Sequence, residues 1–147
     1  MAAGAFPVGA TVGELGAIKS GSGFGNESLK NARVVAADSG LLKLKMEVSA
    51  EHVNPLGTLH GACSMLMLDL FTTFAIMTIA PRVSVSVNMS GQYTGAAKLG
   101  DELIIECRVD KTGKSLAYTS MTITSGGKLV FTGQHTKMFL EPPKAKL

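Results

Sequence analysis

Hydrophobic and polar positions in this chain follow two rhythms. Leu42, Leu44, Met46 and Val48 alternate with Lys43, Lys45 and Glu47, the period of a strand with one buried face. Residues 31–38 before it are apolar and β-branched, and Ser39-Gly40 supplies a turn, so the pair predicts a hairpin. A loop follows, with Pro55 and Gly57 as breakers. From His60 to Ala80 the alternation stops. HGACSMLMLDLFTTFAIMTIA is apolar at most positions and predicts a helix over about 61–80, buried nearly all round. Beyond Pro81 the period of two returns. Val83, Val85, Val87 and Met89 alternate with serines and Asn88, and 103–110, 116–124 and 129–138 complete four strand-like segments. TGAAKLGD, KTGK and SGG are the turns between them.

The order is strand, strand, one long helix, four strands. Short turns between consecutive strands imply an antiparallel sheet. A helix apolar on most faces needs cover on most faces. The expected class is therefore α+β, a curved antiparallel sheet wrapped around one buried helix, with a second copy closing what remains. No repeat or linker interrupts residues 29–140, which read as one domain. Residues 1–28 read as a flexible leader with a short helix near 12–19, and 141–147 as a frayed tail.

The apolar run is about 20 residues, long enough to cross a bilayer. Central Asp69, polar Thr72 and Thr73, the Pro81 stop and the lack of flanking aromatic anchors argue against a span. Asp69 then carries the most information in the chain. A carboxylate among apolar residues is costly unless paired, hydrogen-bonded or used, and use is the leading reason to keep one. The plainer alternative is a structural carboxylate bonded to Thr72 or Thr73.

Composition narrows the picture. The 147 residues suffice for one domain with a sizeable core. The chain is 46% hydrophobic with a positive mean hydropathy of +0.26, which suits a subunit that buries more surface in an oligomer. A formal charge of +3 fits an anionic small ligand and is too weak for nucleic acid. Cys63 and Cys107 read as reduced thiols of an intracellular protein, with only His60 near enough in sequence to activate Cys63. No basic segment precedes the first apolar residues, and Glu14 without arginine disfavours a transit peptide. A cytoplasmic location is expected, with a mitochondrial one as the alternative. His52, His60 and His135 lack metal-ligand spacing, so no metal is expected, and His52 and His135 read as structural.

NPLGTLHGACSMLMLD resembles the signature of hotdog-fold acyl-CoA thioesterases of the phenylacetate-pathway type, closest to the eukaryotic thioesterase superfamily member two kind. The likeness continues through VSVSVNMSGQYTGAAKLGDELIIECRVDKTGKSLAYTS and GKLVFTGQHTK, roughly residues 31–137. It implies hydrolysis of acyl-CoA to free acid and coenzyme A without metal or redox cofactor, in a homodimer at least and by extension a dimer of dimers. By resemblance Asp69 is general base or nucleophile, Ser86 orients the water, with Ser84 a competitor, and Asn54 helps bind carbonyl or water. His60 orders the loop or, less simply, acts as a base. The turns that hold coenzyme A in relatives correspond to Tyr93, Thr94, Gly95, Ala96, Ala97 and Lys98, and to Lys111, Thr112, Gly113, Lys114, Ser115 and Leu116. Lys137 and Met138, on the last strand, are expected to bind it too, and Lys98, Lys111, Lys114 and Lys137 to form a basic rim for its phosphates.

The residues support part of this independently. GTLHGA leads into the helix, whose N-terminus offers free N–H groups and partial positive charge. Gly61 lets a thioester carbonyl approach it. Asp69 is eight residues further on, about 12 Å along the axis and about 80° around it. It is poorly placed to act on a carbonyl held at its own helix N-terminus, so the expected site takes Gly61 from one chain and Asp69 from another. Met65, Leu66, Phe71 and Phe74 are expected to line a medium, long or aryl acyl group. Ala62, Leu70 and Gly95-Ala96 depart from the pattern of relatives and bear on acyl preference. Two other functions share features with this reading, a hotdog hydratase or dehydratase using His60 with Asp69, and a non-catalytic acyl-CoA-binding protein.

Overall fold

The computed structural model describes residues 6–15 and 23–141. A short helix α1 (Asn26–Leu29) precedes the hairpin β1 (Arg33–Asp38) and β2 (Leu41–Glu47). A single 3-10 turn at Ala50–His52 leads to α2 (Gly61–Met77). Four strands follow: β3 (Ser84–Tyr93), β4 (Glu102–Thr112), β5 (Leu116–Ser125) and β6 (Lys128–Phe139). All pair antiparallel in one six-stranded sheet of order β1-β2-β4-β5-β6-β3. The α+β class is as expected, and α2 packs on β2, β4, β5, β6 and β3.

Local chemistry sets the boundaries. Gly40 turns the first hairpin at φ 77°, where a side chain would be strained, and its N–H donates to Thr78 Oγ1 beyond the end of α2. The helix ends at Met77, three residues before the expected Ala80. Its N-cap is His60, whose Nδ1 accepts from the Ala62 N–H at 3.0 Å.

The core lies between helix and sheet. Met67, Leu68, Phe71 and Ala75 bury against Leu42, Leu44, Leu103, Ile105, Met121, Ile123 and Phe131. Two glycines let the helix sit this close. Gly91 and Gly133 face each other across β3 and β6. A Cβ at Gly91 would lie 2.5 Å from the Phe131 ring, and one at Gly133 would lie 2.9 Å from Leu68.

Three expectations change. Residues 6–15 are packed rather than loose. Phe6 and Val12 are buried, Phe6 meets Phe74 at 5.7 Å, and residues 9–12 hydrogen-bond to 32–34 alongside β1. The part of the expected 12–19 helix that is described, residues 12–15, is turn; the rest, like tail residues 142–147, lies outside the described residues. Second, α2 is not covered on every side: Met65, Leu66, Asp69, Leu70, Thr73 and Met77 stay half-buried. Third, Val83, Val85, Val87 and Met89 do not share one face. Val83, Val85 and Val87 are 72%, 40% and 56% exposed, while Ser84 and Ser86 pair with the buried Phe139 and Lys137 and so share their inward face. A bulge at Val87, between the pairs Ser86–Lys137 and Asn88–Thr136, then shifts the alternation so that Met89 and Gly91 turn inward. No helix among the described residues is long and apolar enough to cross a membrane.

Candidate active site

Asp69 sits midway along α2 on its less covered side, with a side chain 46% exposed. Neither neighbouring threonine binds its carboxylate. The Thr73 hydroxyl donates instead to the Asp69 backbone carbonyl at 2.7 Å, and the Thr72 hydroxyl to that of Leu68 at 2.5 Å. The carboxylate faces Ser86, with Oδ1 3.5 Å from Oγ. Ser84 shares the inward face of β3, but it lies opposite Phe139, whereas Ser86 lies opposite Lys137 and so comes level with Asp69.

His135 completes the cluster. Its Nε2 lies 2.8 Å from Ser86 Oγ and 3.9 Å from Asp69 Oδ1, and its Nδ1 lies 2.8 Å from Thr72 Oγ1. The side chain is fully buried. Burial first, and then the Lys137 charge, push its pKa down to about 4, against a smaller opposing pull from Asp69. His135 was expected to be structural; it belongs to the site. The signal was present in β6, where Phe131, Gly133, His135, Lys137 and Phe139 all point inward, leaving two titratable residues on a core-facing stripe.

Lys137 is likewise not on a rim. It is 5% exposed, and its Nζ donates to Thr73 Oγ1 at 2.7 Å. Burial lowers its pKa, and the Asp69 charge opposes that shift. Asp69 therefore has a buried ammonium and a neutral imidazole behind it and open space in front.

At the helix start, the Cys63 and Ser64 N–H groups both bond the His60 carbonyl, while Ala62 N bonds the His60 ring. Among the described residues the Gly61 N–H has no acceptor, so it remains free at the positive end of α2. Tyr93 braces this end, donating from Oη to the Gly61 carbonyl at 3.1 Å. Asn54 organises the preceding turn: its Oδ1 accepts from the Leu56 and Thr58 N–H groups, and its Nδ2 donates to Thr58 Oγ1. His60 caps the helix through Nδ1. His52 is structural, accepting from Ser49 N through Nδ1 and contacting the Ser28 carbonyl through Nε2. Burial, then the Glu51 charge, raise the Cys63 pKa to about 11, which leaves a protonated thiol and a poor nucleophile.

The two turns differ from a simple basic rim. Thr58 bridges Lys98, so residues 93–98 are tied to the loop before α2. Gly95 presses on β6, since a Cβ there would lie 2.7 Å from the Leu129 carbonyl, and Thr94 Oγ1 donates to the same carbonyl. Ala97 is in the core, whereas Ala96 and Lys98 are exposed. In the β4–β5 turn Lys111, Thr112, Gly113, Lys114 and Ser115 are exposed and Leu116 half-buried. Met138 points outward, on the face opposite Lys137. Of the expected acyl lining, Met65 and Leu66 border the uncovered side, while Phe71 and Phe74 are core. Among the described residues no three His, Cys, Asp or Glu converge as a metal-binding group.

A profile of the thioesterase superfamily matches residues 56–131. The chain is 40% identical over 109 residues to human acyl-coenzyme A thioesterase 13, covering 71% of this chain and 76% of that one. The structure superposes on zebra fish thioesterase superfamily member 2 with a TM-score of 0.80 at 34% identity, covering 85% and 92% of the two chains. On the Mus musculus thioesterase superfamily member 2 the score is 0.73 at 37% identity, covering 77% and 85%. The sheet and helix are those of the hotdog fold.

Proposed function

This chain belongs to the thioesterase superfamily, and from that premise we propose that it hydrolyses acyl-CoA to a free acid and coenzyme A. The observation that carries the reading is the convergence of Asp69, Ser86 and His135 on the open side of α2. A carboxylate with a hydroxyl beside it suits the activation of a water. The names of the relatives supply the substrate class.

In this reading the thioester oxygen lies against the free Gly61 N–H, and water on Asp69 attacks the carbonyl carbon as its proton passes to the carboxylate. The tetrahedral oxyanion is held by Gly61. Its collapse breaks the C–S bond, and the proton on Asp69 neutralises the departing thiolate. Coenzyme A enters and leaves as part of substrate and product, and the steps call on no metal or redox cofactor. Lys98, Lys111 and Lys114 would meet its phosphates, and the half-buried Met65 and Leu66 favour a medium, long or aryl acyl chain. Two unpaired thiols, Cys63 and Cys107, accord with an intracellular location.

The separation of Asp69 from Gly61 along α2 supports a site shared between two chains, with a homodimer as the working unit and a dimer of dimers as its extension. The half-exposed Asp69 and the open β3 edge are what such a dimer would cover. The decisive experiment measures thiol release from short, medium, long and aryl acyl-CoAs by the wild type and by Asp69→Asn. A loss of about 10²–10⁴-fold with fold and assembly intact is expected. Turnover by Asp69→Asn equal to wild type, or binding without any thiol release, overturns the reading. Inactive Asp69→Asn and Gly61→Pro chains, refolded together, should recover about a quarter of wild-type activity in mixed dimers. A site within one chain recovers none.

A further inference from the structure

We propose that His135 is a positioning residue, whose bare Nε2 accepts the hydrogen bond of the Ser86 hydroxyl and so leaves the Ser86 oxygen as an acceptor for the attacking water. The inference rests on the thioesterase reading and concerns a residue to which that reading gives no step. It follows from counting protons. Thr72 Oγ1 has one proton and spends it on the Leu68 carbonyl at 2.5 Å. The 2.8 Å contact between Thr72 Oγ1 and His135 Nδ1 must then be made with a proton from the imidazole. Burial and the Lys137 charge keep that ring neutral at pH 7, so its single proton is on Nδ1 and Nε2 is bare. The Ser86 hydroxyl, 2.8 Å away, donates to it.

The neighbouring pair repeats the arrangement one residue along α2. Thr73 Oγ1 donates to the Asp69 carbonyl and accepts from Lys137 Nζ. Two threonines thus anchor the two inward titratable residues of β6 by the same device. With its proton committed to His135, Ser86 has none to give Asp69, and the 3.5 Å between Oγ and Oδ1 separates two acceptors. A water bridging them donates one hydrogen to each, which turns its lone pairs away from both and toward a bound carbonyl. His135 is too weakly basic to make Ser86 itself a nucleophile.

Histidine-selective ¹⁵N labelling of the full chain tests the proton count without substrate, His135 being assigned by difference from His135→Gln. Long-range ¹H–¹⁵N correlation at pH 7 should show a protonated Nδ1 and an unprotonated Nε2. A protonated Nε2 overturns the proposal, because Thr72 would then donate to the ring and Ser86 to Asp69. In kinetics, His135→Ala and Ser86→Ala should each lower kcat by about 10–100-fold with KM nearly unchanged. The double variant should be no slower than Ser86→Ala, and His135→Gln, which keeps an acceptor, should recover part of the loss. Independent, multiplicative losses would mean that His135 does not act through Ser86. Asp69→Asn distinguishes the two readings: turnover insensitive to it removes the hydrolytic reading, while the tautomer is decided by the spectrum alone.

Discussion

The two edges of the sheet are finished in different ways. Along β1 the chain covers its own edge: the Gly9 and Val12 N–H groups donate to Val34 and Ala32, Val34 donates back to Ala10, and Phe6 and Val12 sink into the core. Along β3 the outer backbone has no strand beside it among the described residues, and Val85 and Val87 on it, with Val83 just before it, stand exposed. An uncovered apolar edge is a liability for a monomer. It is also the strand that carries Ser86 and its bulge. The chain spends its own residues on the edge far from the site and leaves the near edge open, which is the arrangement expected where a second copy completes the catalytic centre.

The largest effect should come from making the open edge unpairable. Val83→Lys with Val87→Lys adds two charges away from the inward face, so the fold should persist. If the edge joins two copies, light scattering should report monomers, and thiol release should fall by at least about 100-fold. Unchanged mass would uncouple the open edge from assembly. Next comes the other half of the proposed site. Gly61→Pro deletes a free N–H at the first helical position, where proline is tolerated, and sets a Cβ 3.1 Å from the Tyr93 ring, which must give by a few tenths of an ångström. His60 before it already has φ −68° and ψ 134°, the extended backbone a following proline demands. We expect assembly and melting temperature to be nearly unchanged and kcat to fall by about 10²–10³-fold. A drop in KM-dependent terms alone would argue against an oxyanion role.

The covered edge should behave oppositely. Phe6→Ala removes a buried ring and should cost about 3 kcal/mol of stability, read from denaturant unfolding, with kcat of the folded enzyme kept. A matching loss of kcat would mean that the β1 edge also shapes the site. The smallest effect is on pH dependence. His135 has a folded pKa depressed to about 4, so the unfolded chain binds its proton first. Its contribution to stability is full above about 6.5, declines as pH falls through that window and is lost below about 4. Melting scans between these limits should show wild type losing more stability than His135→Gln.

Much of the architecture was legible because local periodicity reports burial directly. The strands, the long apolar helix and its N-terminus all fell near their expected places. Ser86 was named from resemblance, and it was the register of β3 on β6 that put it beside Asp69 instead of Ser84. The run Val83, Val85, Val87 and Met89 did not keep to one face for a related reason: a period of two marks two faces but does not say which is inward, and a single bulge at Val87 exchanges them. His135 was expected to be structural and Lys137 to contact coenzyme A; their pairing with Thr72 and Thr73 was not legible because those partners are more than sixty residues away.

By itself the sequence determined the inventory: which segments form strands, where the one helix lies, and that a lone carboxylate sits within it. These follow from hydrophobic period and from the cost of burying charge, both local properties. Only the tertiary structure decided which side chains meet that carboxylate, that Phe71 and Phe74 fill core while Met65 and Leu66 stay open, and which sheet edge is left bare. Those depend on strand order and register, which are set by packing between distant segments and leave no local mark on the chain.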